Sequence, residues 1–395
     1  MPHLEDIVIV AAVRTPLGSL LGSLSTLSAP VLAAATHQAC VSTLDFPTDH
    51  INEVIMGCVL QAGIGQAPAR QSAHLANFPE SIPAATINKM CGSGMKAVMN
   101  AYDSLKTGMT QLILAGGMES MSQAPYLLKK ARAGYRLGHG QLLDHLFLDG
   151  LEDAYEPGKL MGCFADETAK HFGITREAQD AYAIASMERA LEAQKSHYWD
   201  SEIVPITVPG PKQTSTLVSK DEHPAREKLA KVTHLKPAFD PNGTVTAANS
   251  SAISDGAASL LVTIRAFADK HHLPILARIV GHTSFAQAPK WFTTAPVPTI
   301  QKLLKQLNWQ QKDVDLFEVN EAFAVVPMVA MQELSIPHDI MNIHGGACAL
   351  GHPIGASGAR IIVTLIHALR HHQCKRGIAA ICIGGGEATA IGIEI

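Results

Sequence analysis

The sequence predicts a mixed α/β fold of two similar halves, interrupted by one inserted segment. Three observations predict it. Short β-branched runs alternate with helical spacings at both ends of the chain. Landmarks of the first part recur in the last part at nearly constant separation. Residues 121–249 follow neither pattern and carry clusters of basic side chains.

The first element is "IVIVAAV" (7–13), a continuous apolar run of the kind found in strands buried on both faces. "EVIMGCVL" (53–60) and "QLILAGG" (111–117) read likewise, and "AATINKM" (84–90) reads as a strand that runs into "CGSG". Between them Met95, Val98, Tyr102 and Leu105 fall on one helical face, and Gly108 can end that helix. In the last third "VDLFEV" (314–319) is a strand. Ile361, Ile362, Leu365, Ile366 and Leu369 line a helix, and "IAAICIGGG" (378–386) is a strand leaving into glycine. Gly57 and Asn320, Ser93 and Ser357, and Glu119 and Glu387 are separated by 263, 264 and 268 residues, which reads as an internal duplication. In the middle segment Lys129, Lys130, Arg132 and Arg136 cluster, and Lys220, Arg226, Lys228, Lys231 and Lys236 follow. We read an inserted domain with a basic surface, or a solvated helix face.

Composition narrows the function. With 47% hydrophobic and 17% charged residues in 395, the chain can bury a large core and is not disordered. A net charge of −4 argues against nucleic acid as a partner. Seven cysteines in a long chain form no framework and suggest a reducing compartment. No apolar run reaches the ~20 residues of a membrane span. The first residues carry no basic leader, and "IGIEI" is no peroxisomal address, so a cytoplasmic protein is expected.

Four positions could carry chemistry. Cys91 follows a strand and precedes glycines and a helix, where N–H groups favour a thiolate and should lower its pKa; otherwise it is a core thiol. Asn320 ends a buried strand, where α/β sites form, or it caps the next helix. His352, between Gly351 and Pro353, is presented from a stiff loop and can accept a thiol proton. Cys382 sits before "IGGG", where a second thiol could move a proton and the Gly384 N–H could bind an oxyanion. "GHPIGASG" lacks the spacing of a dinucleotide loop and has no Walker lysine. No paired C-x2-C unit suggests zinc, so no metal is expected.

Together "CGSG", "NEAFA", "GHPIGASGAR" and "CIGGG" resemble the thiolase family. "VLQAGIGQAPARQ", "AGGMESMSQAPY", "LKPAF" and "NSSAISDGAA" are similar to thiolase segments too, so the resemblance covers nearly the whole chain. It implies a thiolase-like fold of two βαβαβαββ halves, residues 1–120 with 250–271 and residues 272–395, with 121–249 as an inserted loop domain. It implies acetyl transfer between coenzyme A thioesters, with acyl-CoA and CoA as partners and no other cofactor. Cys91 would be the nucleophile, His352 its base, and Cys382 the acid/base at the substrate carbon. Asn320 would hold a water that, with His352, makes one oxyanion hole. The Cys91 and Gly384 N–H groups would make the other. Met161, Phe239, Ser251, Ala322 and Phe323 match acyl or pantetheine positions, and Arg226 is assigned to the CoA phosphates. A homodimer or homotetramer is implied, with 129–140 as a tetramer contact.

Three departures from the acetoacetyl-CoA thiolase pattern bear on chain length: Leu160 in place of a histidine, "APKWFTTAPVPT" in place of a Met-Gly-x-Gly-Pro loop, and His344 in place of an asparagine. The alternatives are a degradative 3-ketoacyl-CoA thiolase of longer chain length and an inactive CoA-binding protein. A decarboxylating ketoacyl synthase needs a Cys-His-His set, and this chain has Asn320 and Cys382 instead.

Overall fold

The computed structural model describes residues 5–42, 44 and 46–395. The first four residues, assigned above to the first half and read for a leader, lie outside the described residues. In the first half, β1 (Ile7–Arg14), α1 (Ala29–Ser42), β2 (Glu53–Gly57), α2 (Pro68–Leu75), β3 (Ala84–Ile87), α3 (Ser93–Lys106) and β4 (Leu112–Ser120) follow one another. The chain then leaves the sheet, forms α4 (Met161–Phe172) and α5 (Arg176–Lys195), and returns as β5 (Ser254–Ile264). The second half is β6 (Ala277–Ala286), α6 (Pro296–Leu307), β7 (Leu316–Val319), α7 (Val325–Leu334), α8 (Ile354–His371), β8 (Arg376–Ile383) and β9 (Glu387–Glu394).

The strands run in the order β7-β8-β9-β6-β1-β5-β4-β2-β3. The halves join at β1 and β6, which pair antiparallel over Ile7–Ile9 and Ala277–Ile279 only. Parallel pairs (β2 with β3 and β4, β7 with β8) lie at the two ends, and antiparallel pairs fill the middle. The apolar faces of α3 and α8 meet between the two half-sheets, in one core with Ile55, Met95, Val98, Ile113, Ile362, Leu365 and Ile381. The other face of the first half-sheet is covered by α1 and α2, and that of the second by α4, α6 and α7. The helices α3 and α8 approach closely because both begin with small residues. A Cβ at Gly94 would meet the Ala359 nitrogen at 2.8 Å, and one at Gly358 would meet the Met95 nitrogen at 2.5 Å.

Two of the three duplicated landmarks hold their places: Gly57 and Asn320 close equivalent strands, and Ser93 and Ser357 lie in the first turns of the two central helices. The third does not. Glu119 lies inside β4, whereas Glu387 opens β9 after a hairpin. The glycines serve different needs. At Gly117 a Cβ would strike the Gly355 carbonyl, while Gly385 and Gly386 take φ of +93° and +87° to turn the hairpin. Where the second half makes that tight hairpin, the first half inserts residues 121–253.

Candidate active site

Four segments meet, three of them at the carboxyl ends of β3, β7 and β8 and the fourth ahead of α8. The "CGSG" turn joins β3 to α3. It is stitched by Lys89 N–H to Ser93 Oγ (2.8 Å), Ser93 Oγ–H to the Met90 carbonyl (2.6 Å) and Gly92 N–H to the Lys89 carbonyl (3.1 Å). The 320–324 loop follows β7, the 342–353 loop precedes α8, and the 384–386 turn follows β8. The chain returning from the insertion is threaded among them. Ser251 N–H donates to the Ala322 carbonyl and His352 N–H to the Ala252 carbonyl, both at 2.9 Å.

These segments wall a cavity of about 300 Å³ that includes Cys91, His352 and Gly384. The backbone N–H groups of Gly384 and of Cys91 itself lie near enough to the Cys91 sulfur to favour its thiolate. Cys382 is fully buried, with its thiol close enough to Cys91 for the two to interact electrostatically. Asn320 lies one strand over, its N–H on the Ala380 carbonyl, and its side-chain amide N and O are both buried without a protein partner. A buried amide left open at both ends is a water or substrate anchor.

His352 Nδ1 lies 2.5 Å from Ser357 Oγ, which lies 3.0 Å from the Pro353 carbonyl. With the hydroxyl proton on that carbonyl, Nδ1 is the donor and Nε2, buried and without a protein partner, keeps the lone pair. Burial, and behind it the Arg360 guanidinium, holds the imidazole down to about 3. Burial pushes the Cys91 thiol up to about 11, against the two N–H groups that pull it down. Against the lowering expected from sequence, desolvation outweighs these two N–H groups and favours a thiol, beside an imidazole that burial keeps neutral. Burial raises the Cys382 thiol well above its ordinary value.

Of the other expected residues, Met161, Ser251, Ala322 and Phe323 line the cavity. Phe239 does not: it stands one layer behind, edge-on to Phe323 with ring centroids 5.9 Å apart. Arg226 is not brought to the cavity either. It is exposed on the short helix Arg226–Leu229, facing a separate surface depression with Lys195 and Lys220.

Several residues escaped the sequence reading. Leu148–Tyr155, from the insertion, form one side of the cavity, and Phe292 and Ile354 close it. Phe292 comes from the atypical "APKWFTTAPVPT" stretch, whereas Leu160 caps α4 just outside the wall. Glu321 is a buried hub whose carboxylate accepts from Tyr182 Oη (2.9 Å), Ser186 Oγ (2.7 Å), Asn342 Nδ2 (2.8 Å) and Cys348 N (3.0 Å). It ties α5 to the Asn320 and His352 loops. Glu119 accepts from the Val59, Leu60 and Gly355 N–H groups at 2.9–3.1 Å, and burial raises it to about 7. Glutamate directly after Asn320 was the one available signal.

A thiol with two N–H groups on its sulfur, a second thiol beside it, a histidine with a bare Nε2 and an open amide can carry out acyl transfer through a thioester. Comparison with known proteins agrees. The thiolase N-terminal domain matches residues 7–266 and the thiolase C-terminal domain residues 273–395.

The chain belongs to the thiolase family.

This thiolase is 43% identical over 392 residues to an acetyl-CoA acetyltransferase of Cupriavidus necator, covering 99% of this chain and 100% of that one. Its fold matches the crystal structure of the Bacillus anthracis acetyl-CoA acetyltransferase with a TM-score of 0.96, at 39% identity and 99% coverage of both chains. It also matches an Ascaris suum thiolase in complex with coenzyme A, with a TM-score of 0.93, 39% identity, and 99% and 100% coverage. Among the described residues of this thiolase, no helix is long and apolar enough to cross a membrane.

Proposed function

We propose that this thiolase is an acetyl-CoA C-acetyltransferase, joining two acetyl-CoA into acetoacetyl-CoA and CoA, or running the thiolysis in reverse. The observation that carries the reading is that Cys91, His352 with its unpartnered Nε2, and Gly384 line one cavity, with the Cys91 and Gly384 N–H groups near the Cys91 sulfur.

In this reading the Cys91 sulfur attacks the thioester carbon while its proton passes to His352 Nε2. The two N–H groups hold the oxyanion, the carbon–sulfur bond to CoA breaks, and His352 returns the proton to the leaving CoA sulfur. Cys382 passes its proton to His352, and its thiolate then takes an α-proton from a second acetyl-CoA, while a water on Asn320 together with the His352 imidazolium holds the enolate oxygen. The enolate carbon bonds to the acetyl carbon, and Cys91 leaves as thiolate and takes its proton back from His352. Because both residues start neutral, proton transfer accompanies attack and no ion pair stands ready.

Arg226 meets only the nucleotide end of CoA in this reading, since it is exposed and away from the cavity. Thioester chemistry needs no metal or further cofactor. The maintained thiols at Cys91 and Cys382 suit a cytoplasmic setting. Exposed Leu128, Tyr135, Leu137 and Leu142 suit a homodimer or homotetramer with this region as a contact.

A degradative 3-ketoacyl-CoA thiolase is the second reading, favoured by the largely apolar wall of Leu148, Leu151, Met161, Phe292 and Phe323. Turnover of 3-ketoacyl-CoA of rising chain length decides between them. A steep rise of kcat/KM beyond four carbons overturns the first reading, and no turnover with any chain length points to a CoA-binding protein.

A further inference from the structure

The "CGSG" turn and the "CIGGG" hairpin come from opposite halves of the molecule, yet in the acyl-transfer reading Gly384 of one must stay beside Cys91 of the other, on the cavity wall the two share. Two contacts hold them. The Ile383 side chain rests on Gly92, where a Cβ would meet its Cδ1 at 2.4 Å. Outside this apolar contact the Lys89 ammonium pairs with the Glu387 carboxylate across 298 residues of sequence.

Each partner is fixed to the atom that matters. Lys89 is two residues before Cys91, in a turn whose N–H and carbonyl at 89 are both hydrogen-bonded and whose Met90 has φ +47°. Glu387 is three residues after Gly384. It opens β9, paired on one side to Ile383 and on the other to Ala286. The Gly385–Gly386 link between it and Gly384 has positive φ at both residues, and the Gly386 carbonyl accepts from Gln287 N–H at 2.8 Å. The remaining freedom of the hairpin relative to the nucleophile turn is what the ion pair restrains.

We propose that Lys89 and Glu387 are positioning residues, a clamp between the halves that keeps the Gly384 N–H aligned with Cys91. The proposal rests on the acyl-transfer reading above. Both side chains are part-exposed, so the pair is a weak contributor to global stability. Its effect is expected in kcat.

The test compares K89M, E387M, the K89M/E387M double and the charge-swapped K89E/E387K in thiolysis of acetoacetyl-CoA. Melting temperature and the pH profile of Cys91 alkylation by iodoacetamide are measured beside it. Each single variant should lose about three- to thirtyfold in kcat, less than the ~10²–10³ lost with a whole oxyanion donor. KM should hold within about twofold. Alkylation should move to higher pH as the N–H leaves the sulfur. The double should be no worse than either single, because one interaction is lost in all three, and the swap should recover kcat. Singles with wild-type kcat and alkylation profile, whatever their melting temperature, overturn the clamp, as do additive losses or a swap no better than the singles. Wild-type protein without turnover sinks the acyl-transfer reading instead.

Discussion

The Ser357 hydroxyl sets which nitrogen of His352 can accept a proton, and Ser357→Ala isolates that effect. The hydroxyl donates to the Pro353 carbonyl at 3.0 Å and accepts from Nδ1 at 2.5 Å, all of it buried. Truncation leaves the Nδ1–H without an acceptor, at a cost of about 1–3 kcal/mol for a buried unpaired donor. That cost falls on the productive tautomer alone, because the other tautomer carries its proton on Nε2. At about 1.4 kcal/mol per decade, the tautomer with a bare Nε2 becomes about 5- to 150-fold rarer. We expect kcat for acetoacetyl-CoA thiolysis to fall by roughly 10–100-fold, as when an orienting partner is removed behind a metal-bound histidine. KM for CoA should be unchanged, since Ser357 does not line the cavity. Steady-state kinetics with a thermal melt as control is the assay. A Ser357→Ala enzyme within about twofold of wild-type kcat refutes the tautomer argument.

Cys382→Ala should still form acetyl-Cys91 and exchange CoA, yet lose condensation and thiolysis by at least about 10²; equal loss of both half-reactions would deny Cys382 a role at the substrate carbon. Because burial raises the Cys91 thiol from an ordinary 9.0 to about 11, iodoacetamide inactivation of the free enzyme should climb about tenfold per pH unit from 7 to 10. A plateau near pH 7 would mean a preformed thiolate. Arg14 is fully buried between Glu202 (2.6 Å) and Asp221 (2.7 Å), so Arg14→Met strands two buried carboxylates and should cost about 3–5 kcal/mol, read as a drop in melting temperature on the order of 10 °C.

The candidate site loops were legible because reactive residue types fall at breaks in the apolar pattern: Cys91, His352 and Cys382 beside glycines, and Asn320 directly after an apolar strand. The central helices were legible too, since Met95, Val98 and Leu105, and Ile362 and Leu365, repeat at helical spacing into one core. What the sequence hid is tertiary. The rise of the Cys91 pKa comes from neighbours distant in sequence that exclude water. Equivalent-looking glycines, at Gly117 and Gly385, serve a close approach in one place and a left-handed turn in the other. The contribution of Leu148–Tyr155 to the cavity depends on where the insertion folds back, and no periodicity marks it. Glu321 and Ser357 act through hydrogen bonds to residues up to 139 positions away or one helical turn off.

The central claim is that Cys91 carries the acyl group, and intact-protein mass spectrometry after mixing with acetyl-CoA tests it most directly. The account predicts one added acetyl group on the reduced wild-type chain and none on Cys91→Ala. An acetyl group on both proteins, or on neither, would contradict it.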